Sequence, residues 1–452
     1  MAARDLEHRP PSSFAVLALG LALVGAASML YYHLGLFIPR ALKVADARSL
    51  SGAYAFGDDF YPIWLTTREC VREGIDPYSV DMTREIQKGL FGRALDAQIP
   101  TDPLTDYRTF AYPAFTDLLF WPAAELPFPI ARVVLVFLLA GLTAASVVLW
   151  VRAMSWRISW VWLAVLVLLV LCSYPVLEGL YAGQLGLLVG FLVAGSVLAM
   201  QRGRFLLAGI LLALTTIKPQ ITALALLYLL LWSLRATHGR RLFYLGFFST
   251  MLALVGTALA IWPHWIQSWT RVVLGYHRYA RPPLVTEVLA SPTGPRIAGP
   301  ISWSITALLL IVALVLAWRN RAVAVGSRQF WLTLSFLLSV TSVTLLPGQA
   351  IHDQVILLPG IFLLAYRWEE WSSSWIRKAL LAAGVGIVLW PWIAAFSLIV
   401  LRPLLTQQQF SSKAVFALPL RTAATFPFVV LGALALALRP ARNSVGAGSP
   451  LS

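Results

Sequence analysis

Two adjacent carboxylates head one short aromatic stretch, Gly57-Asp58-Asp59-Phe60-Tyr61-Pro62-Ile63-Trp64. A carboxylate within reach of a hydroxyl is the usual general base of a group transfer. Cations stand elsewhere in the chain: Lys218 before Pro219, His352 before Asp353, and a basic run from Arg271 to Arg281 that includes Arg278. Such cations suit a departing phosphate, whose charge grows as its bond breaks. Tyr61, Trp64 and Tyr112 carry flat amphipathic rings of the kind that stack on a sugar face. Gln184 and Asp353 add hydrogen-bonding groups beside them. This mixture suits transfer of a sugar from a lipid phosphate to a hydroxyl. No glycine-rich phosphate loop is present for a nucleotide sugar. Adjacent carboxylates alone do not make a divalent-cation site, so no metal and no other cofactor is expected.

Each residue also has a plainer role. Asp59 is placed to cap the helix that its stretch begins, with Pro62 tolerated in the first turn and Gly74 as its stop. That helix has one apolar face and is expected to lie along the bilayer surface. Lys218 can snorkel to the interface, and Gln184 can bond between helices. Arg278 and Arg281 lie among aromatics and suit lipid headgroups.

The elements that hold these residues are membrane helices. The 452 residues are 59% hydrophobic and 12% charged, with mean hydropathy +0.76. Apolar runs of roughly 20 residues, the length that crosses a bilayer, recur from end to end. The expected fold is an all-α polytopic membrane protein with about 12 transmembrane helices. They fall near 14–38, 130–151, 157–175, 184–200, 205–217, 219–234, 242–262, 301–318, 330–346, 351–366, 379–401 and 414–438. The pair flanking Lys218-Pro219 is short for a full crossing. The net charge of +15 does not point to nucleic acid, because Lys and Arg gather in short links that can all be cytoplasmic. Residues 1–13 and 439–452 are then cytoplasmic tails, and 14–438 is one membrane domain. A first outer loop spans 40–112 and a second spans 263–300. The first holds eleven of the twenty acidic residues, and it faces the same side as Lys218, Glu178, Gln184 and His352. Ionisable groups at that depth need a cavity or a partner, so a single outward-facing site is expected. Cys70 and Cys172 suggest neither a disulfide framework nor a metal site.

Gly57-Asp58-Asp59-Phe60 followed by Gly74-Ile75-Asp76-Pro77-Tyr78 resembles the first-loop pattern of the polyprenol-phosphate-mannose-dependent mannosyltransferases, the GT-C glycosyltransferases of family 87. Phe110-Ala111-Tyr112-Pro113 resembles that family's aromatic–Tyr-Pro element. Gly183-Gln184 with Ala208-Gly209 and Lys218-Pro219 resembles its middle stretch, and His352-Asp353 its late His-Asp. The resemblance runs from about residue 50 to 366. Gly186 departs from it, standing where Asn is common, and the doubled Asp leaves two candidates for the base. The resemblance implies a GT-C-like fold, a lipid-linked donor carrying a hexose such as mannose, and an inverting transfer. It implies an Asp base, Asp59 ahead of Asp58, with His352 and Lys218 facing the donor phosphate. Arg278 and Arg281 are further candidate phosphate ligands, and Tyr61, Trp64, Tyr112, Gln184 and Asp353 are candidates for holding sugar or acceptor. The partners are then a polyprenyl-phosphate sugar, a glycolipid or glycan acceptor and membrane lipids, at a bacterial-type plasma membrane. A multi-span transporter or lipid flippase is the alternative, although no internal repeat supports it. Another lipid-linked glycan ligase or polymerase is a third.

Overall fold

The computed structural model describes residues 13–438 apart from 49, 51–53, 55, 97–106, 235–237, 277–294, 347–349 and 372–373. The expected cytoplasmic tails lie outside the described residues except for Ser13, which begins α1, and Arg278 and Arg281 lie outside them too. The described residues are helical or irregular, with no strand among them. The helices of eight or more residues are α1 (Ser13–Ala47), α2 (Tyr61–Glu73), α3 (Val80–Phe91), α4 (Phe115–Ala124), α5 (Phe128–Ala153) and α6 (Trp160–Leu171). Next come α7 (Tyr174–Ala182), α8 (Gly186–Gln201), α9 (Phe205–Leu214), α10 (Pro219–Ser233), α11 (His238–Ile261) and α12 (Trp265–Tyr276). The last are α13 (Pro295–Arg319), α14 (Arg328–Thr344), α15 (Leu358–Tyr366), α16 (Trp375–Leu401) and α17 (Phe426–Leu438).

Helices stand near all of the expected spans, yet the count of twelve crossings is not supported. Six helices among the described residues are long and apolar enough to cross a membrane: α1, α5, α11, α13, α16, and α17 with the 3₁₀ turn before it. The pair α6–α7, bent by 55°, makes a seventh if it is one span. Length excludes the others. The 16 residues of α8 rise only about 24 Å against a hydrocarbon core of about 30 Å. Such short helices place their ends, and the polar residues there, inside the protein at depth. Helix α14 is similar: every residue from Phe330 to Thr344 is buried. Several of its Ser and Thr hydroxyls bond back to its own carbonyls, as Thr341 does to Leu337 at 2.9 Å, so they need no outside partner.

Close backbone approach sets the middle of the fold. At Gly209 a Cβ would run into the Phe243 carbonyl, and at Gly246 into the Leu206 carbonyl. The two glycines therefore let α9 and α11 touch backbone to backbone, the use small residues have in membrane helix packing. This accounts for the Ala208-Gly209 pair of the middle stretch. Between α1 and α5 stand the shorter helices α2, α3 and α4. There α2 packs on α3 and α4 through Ile63, Trp64, Cys70, Ile86 and Phe115. Helix α12 is tied to the same region by Trp269, whose indole N–H donates to the Ala111 carbonyl at 3.0 Å.

Candidate active site

The site is built on the end of α7. This helix ends in a Schellman turn, with Gly183 at φ +74, Gln184 N–H on the Gly179 carbonyl at 2.8 Å and Gly183 N–H on Leu180 at 3.3 Å. Gly183 has no room for a side chain, since a Cβ would lie 2.7 Å from that of Phe60. The carbonyls of Tyr181 and Ala182, left over at the helix end, accept the N–H groups of Gly57 (2.9 Å), Asp59 (3.1 Å) and Phe60 (3.2 Å). The Gly57–Phe60 turn is thereby docked onto α7. Asp59 does not cap α2, contrary to expectation: Phe60 holds that position and no side chain caps the helix. The α7 carbonyls engage the turn backbone, and both carboxylates bond to groups outside α2.

Arg108 meets them there. Its guanidinium donates to Asp59 Oδ1 at 2.5 Å and to Asp58 Oδ2 at 2.8 Å, a fork bridging two acids. Sequence reasoning missed Arg108, although it lies only four residues before Tyr112. On the other side Gln184 Nε2 donates to Asp59 Oδ2 at 2.5 Å. The Gln184 Oε1 accepts from Lys218 Nζ at 2.7 Å. Lys218 also donates to both oxygens of Asp353, at 2.7 and 2.9 Å. His352 Nε2 stands 3.8 Å from Asp353 Oδ1. Burial raises the Asp59 proton affinity. Arg108, then His352, the Gln184 hydrogen bond and Lys218 together outweigh this, so that the net shift is below the ordinary carboxylate value.

Local breaks in helix deliver the far residues. Lys218 sits between the 3₁₀ turn Thr215–Ile217 and α10 with its backbone at φ −138, ψ 70, outside the helical region that a following proline disfavours. His352 and Asp353 lie in the wholly buried 3₁₀ segment Ile351–Leu357. This segment packs on Gly179, where a Cβ would come within 3.2 Å of that of His352. At Gly186 a Cβ would strike the Asp353 carboxylate. Glycine at this position is therefore what the Asp353 side chain requires.

Asp58, Asp59, Gln184, Lys218, His352 and Asp353 thus come together from four segments. The expected aromatics do not join them equally. Trp64 is buried, its indole N–H donating to the Leu126 carbonyl at 2.9 Å and its ring packed against Tyr61 and Phe128. It is a packing residue, not a sugar platform. Tyr61 lies edge-on to Phe128, with its hydroxyl over Gly89. Tyr112 is half-buried and lends its carbonyl to the Tyr78 hydroxyl at 2.7 Å. Asp353 is engaged by Lys218 rather than offered to a ligand. Among the described residues no three of His, Cys, Asp and Glu are grouped as metal ligands.

A cavity of about 950 Å³ begins beside this network. Its walls are almost wholly apolar, from Trp162 and Leu166 on α6, Ile361 on α15, Trp392 on α16 and Val430 on α17. The 3₁₀ segment serves both places: His352 and Asp353 face the polar network, while Gln354 and Val355 line the cavity. Helix α7 does the same, with Val176 at the cavity and Gly179 against His352.

Neither a curated protein nor a solved structure matches the chain. A family model described as glycosyltransferase family 87 matches residues 110–347, a range that holds Tyr112, Gln184 and Lys218. That match covers more than half of the 452 residues, and a chain with several membrane-crossing helices that carries it belongs to glycosyltransferase family 87.

Proposed function

We propose that this membrane glycosyltransferase moves a hexose, mannose by the family resemblance, from a polyprenyl phosphate to an acceptor hydroxyl on the outer side of a bacterial-type plasma membrane. The observation that carries the reading is the junction of the Asp59 network with the apolar cavity through one short segment, Ile351–Leu357. A hydrocarbon chain in the cavity sets its phosphate beside His352, and the sugar on that phosphate lies toward Asp59. Asp59 takes the proton of the acceptor hydroxyl, whose oxygen attacks the anomeric carbon on the face opposite the phosphate. The carbon–oxygen bond to the phosphate breaks and its electron pair leaves with polyprenyl phosphate, so the anomeric configuration inverts. His352, with Arg278 and Arg281, is proposed to offset the charge of the leaving phosphate. Arg108 holds the base ionised. Asp58 shares that guanidinium.

The test is transfer of labelled mannose in membranes carrying the protein, with polyprenyl-phosphate mannose and a nucleotide sugar as rival donors. Label should move from the lipid donor only, and the product linkage should have the opposite anomeric configuration to the donor. Direct use of the nucleotide sugar, or retention of configuration, would refute the proposal.

A further inference from the structure

Behind Asp59 lies a buried ion pair whose geometry leaves it nothing to offer a ligand. Lys218, Asp353 and Gln184 are 7%, 2% and 7% exposed. An ammonium has three N–H groups. Lys218 finds three acceptors, Gln184 Oε1 at 2.7 Å and the two Asp353 oxygens at 2.7 and 2.9 Å. Its donors are saturated, and with Asp353 it forms a neutral unit. Gln184 is equally constrained. Its oxygen must face Lys218, so its N–H must face Asp59 Oδ2, where it stands at 2.5 Å. Turning the amide over would set its N–H against the ammonium and its oxygen against the carboxylate. With Arg108 on Oδ1, the plane of the Asp59 carboxylate is fixed from both sides, and each oxygen keeps a second lone pair for an incoming hydroxyl.

We propose that Lys218 and Asp353 are positioning residues for the Asp59 base, acting through the Gln184 amide, and that Lys218 is not a ligand of the donor phosphate. The proposal rests on Asp59 being the base. It gives Gly186 a role: the space it leaves is the space of the Asp353 carboxylate. The charged groups facing Asp59 from the surrounding elements are Arg108, Asp58, Glu178, His352 and Lys218. Of these, Lys218 is the one joined to Asp59 through the Gln184 amide.

The experiment compares Gln184→Leu, the double variant Lys218→Met/Asp353→Asn, and all three changes together. The double variant removes both charges at once and strands neither in the interior. Turnover should fall roughly tenfold or more in each of the first two, and the triple should fall no further than either, because one relay is cut at two points. The KM for the lipid donor, and the binding of sugar-free polyprenyl phosphate, should stay within about twofold of wild type. Multiplying losses, or weakened polyprenyl phosphate binding in the double variant, would overturn the proposal. Isotope-edited infrared titration of Asp59 supplies a readout that needs no turnover. Its midpoint should rise alike in Gln184→Leu and in the double variant, since both lose the oriented amide. An unmoved midpoint in the double variant also overturns the proposal. A midpoint that moves in a protein with no transfer from the lipid donor supports the positioning and sinks the donor reading alone.

Discussion

Replacing Arg108 by Gln should remove most transferase activity at neutral pH while leaving the protein folded. The guanidinium bridges Asp58 and Asp59 at 2.8 and 2.5 Å, with the three side chains between 16% and 25% exposed. Breaking a fully buried pair costs about 3–5 kcal/mol, and an exposed pair contributes about 1 at most. This site lies between those limits, at about 2 kcal/mol; loss of that much transition-state stabilisation slows the reaction roughly 30-fold. The loss should appear as chemistry more than as unfolding. Without Arg108 the two neighbouring carboxylates lose the guanidinium they share, and the Lys218 ammonium is held by Asp353. One acid then relieves the repulsion by taking up a proton. Since Arg108 is the largest influence lowering the Asp59 proton affinity, the acidic limb of the rate profile should move to higher pH. Arg108→Lys should fall between wild type and Arg108→Gln, because it keeps the charge but loses the fork. The assay is the initial rate of sugar transfer in membrane vesicles from mildly acid to alkaline pH, normalised to inserted protein. A rate and pH profile unchanged in Arg108→Gln would refute the reasoning.

Asp117 on α4 should behave as a neutral acid. Burial raises its proton affinity well above the ordinary carboxyl value, against a smaller opposite pull from Thr67. The one Thr67 hydroxyl proton cannot serve both the Ile63 carbonyl at 2.8 Å and an ionised Asp117 at 2.9 Å. The folded state thus holds a proton that the unfolded chain releases above about pH 4, so this contribution to stability is full below that pH and is lost as pH rises through the folded value. Thermal melts in detergent should show Asp117→Asn keeping the fold with a flatter pH dependence, and Asp117→Ala losing about 1–3 kcal/mol; equal melts for all three proteins would contradict this. Ala383 lines the apolar cavity from its exposed side, so Ala383→Trp should raise the KM for a long-chain polyprenyl donor and leave a short-chain donor nearly unaffected. The same increase for both chains would remove the cavity from the account. Arg108 already occupies the two carboxylates best placed for a divalent ion, so turnover should survive EDTA; loss restored by magnesium would show a metal requirement.

Several parts of the site were legible in the sequence because they carry local signals. A doubled Asp before aromatics, a Gly-Gln pair, a Lys before Pro and a His-Asp before an apolar run are each unusual in a hydrophobic chain. The breaks they mark are the places where short helices end inside the bundle. Arg108 was not legible, because it stands in a polar loop rich in charge and its partners lie 49 and 50 residues away. Asp117 did leave a signal, a lone acid within the apolar run Phe115-Thr116-Asp117-Leu118-Leu119-Phe120. The misplaced cap on Asp59 has a tertiary cause: the orphan carbonyls of α7 outcompete the local helix for that turn. Trp64 satisfies the rule for a stacking aromatic equally well as a packed one, and only the partner at Leu126 decides. The count of twelve spans is not confirmed, because hydropathy grades apolarity well and crossing length poorly, so a buried 16-residue helix reads like a membrane span.

The most direct measurement is sugar transfer from labelled polyprenyl-phosphate mannose by Asp58→Asn and Asp59→Asn, made separately and checked for membrane insertion. The account predicts that Asp59→Asn is inactive while still binding polyprenyl phosphate, and that Asp58→Asn retains measurable turnover. An Asp59→Asn protein that transfers the sugar at the wild-type rate would contradict it.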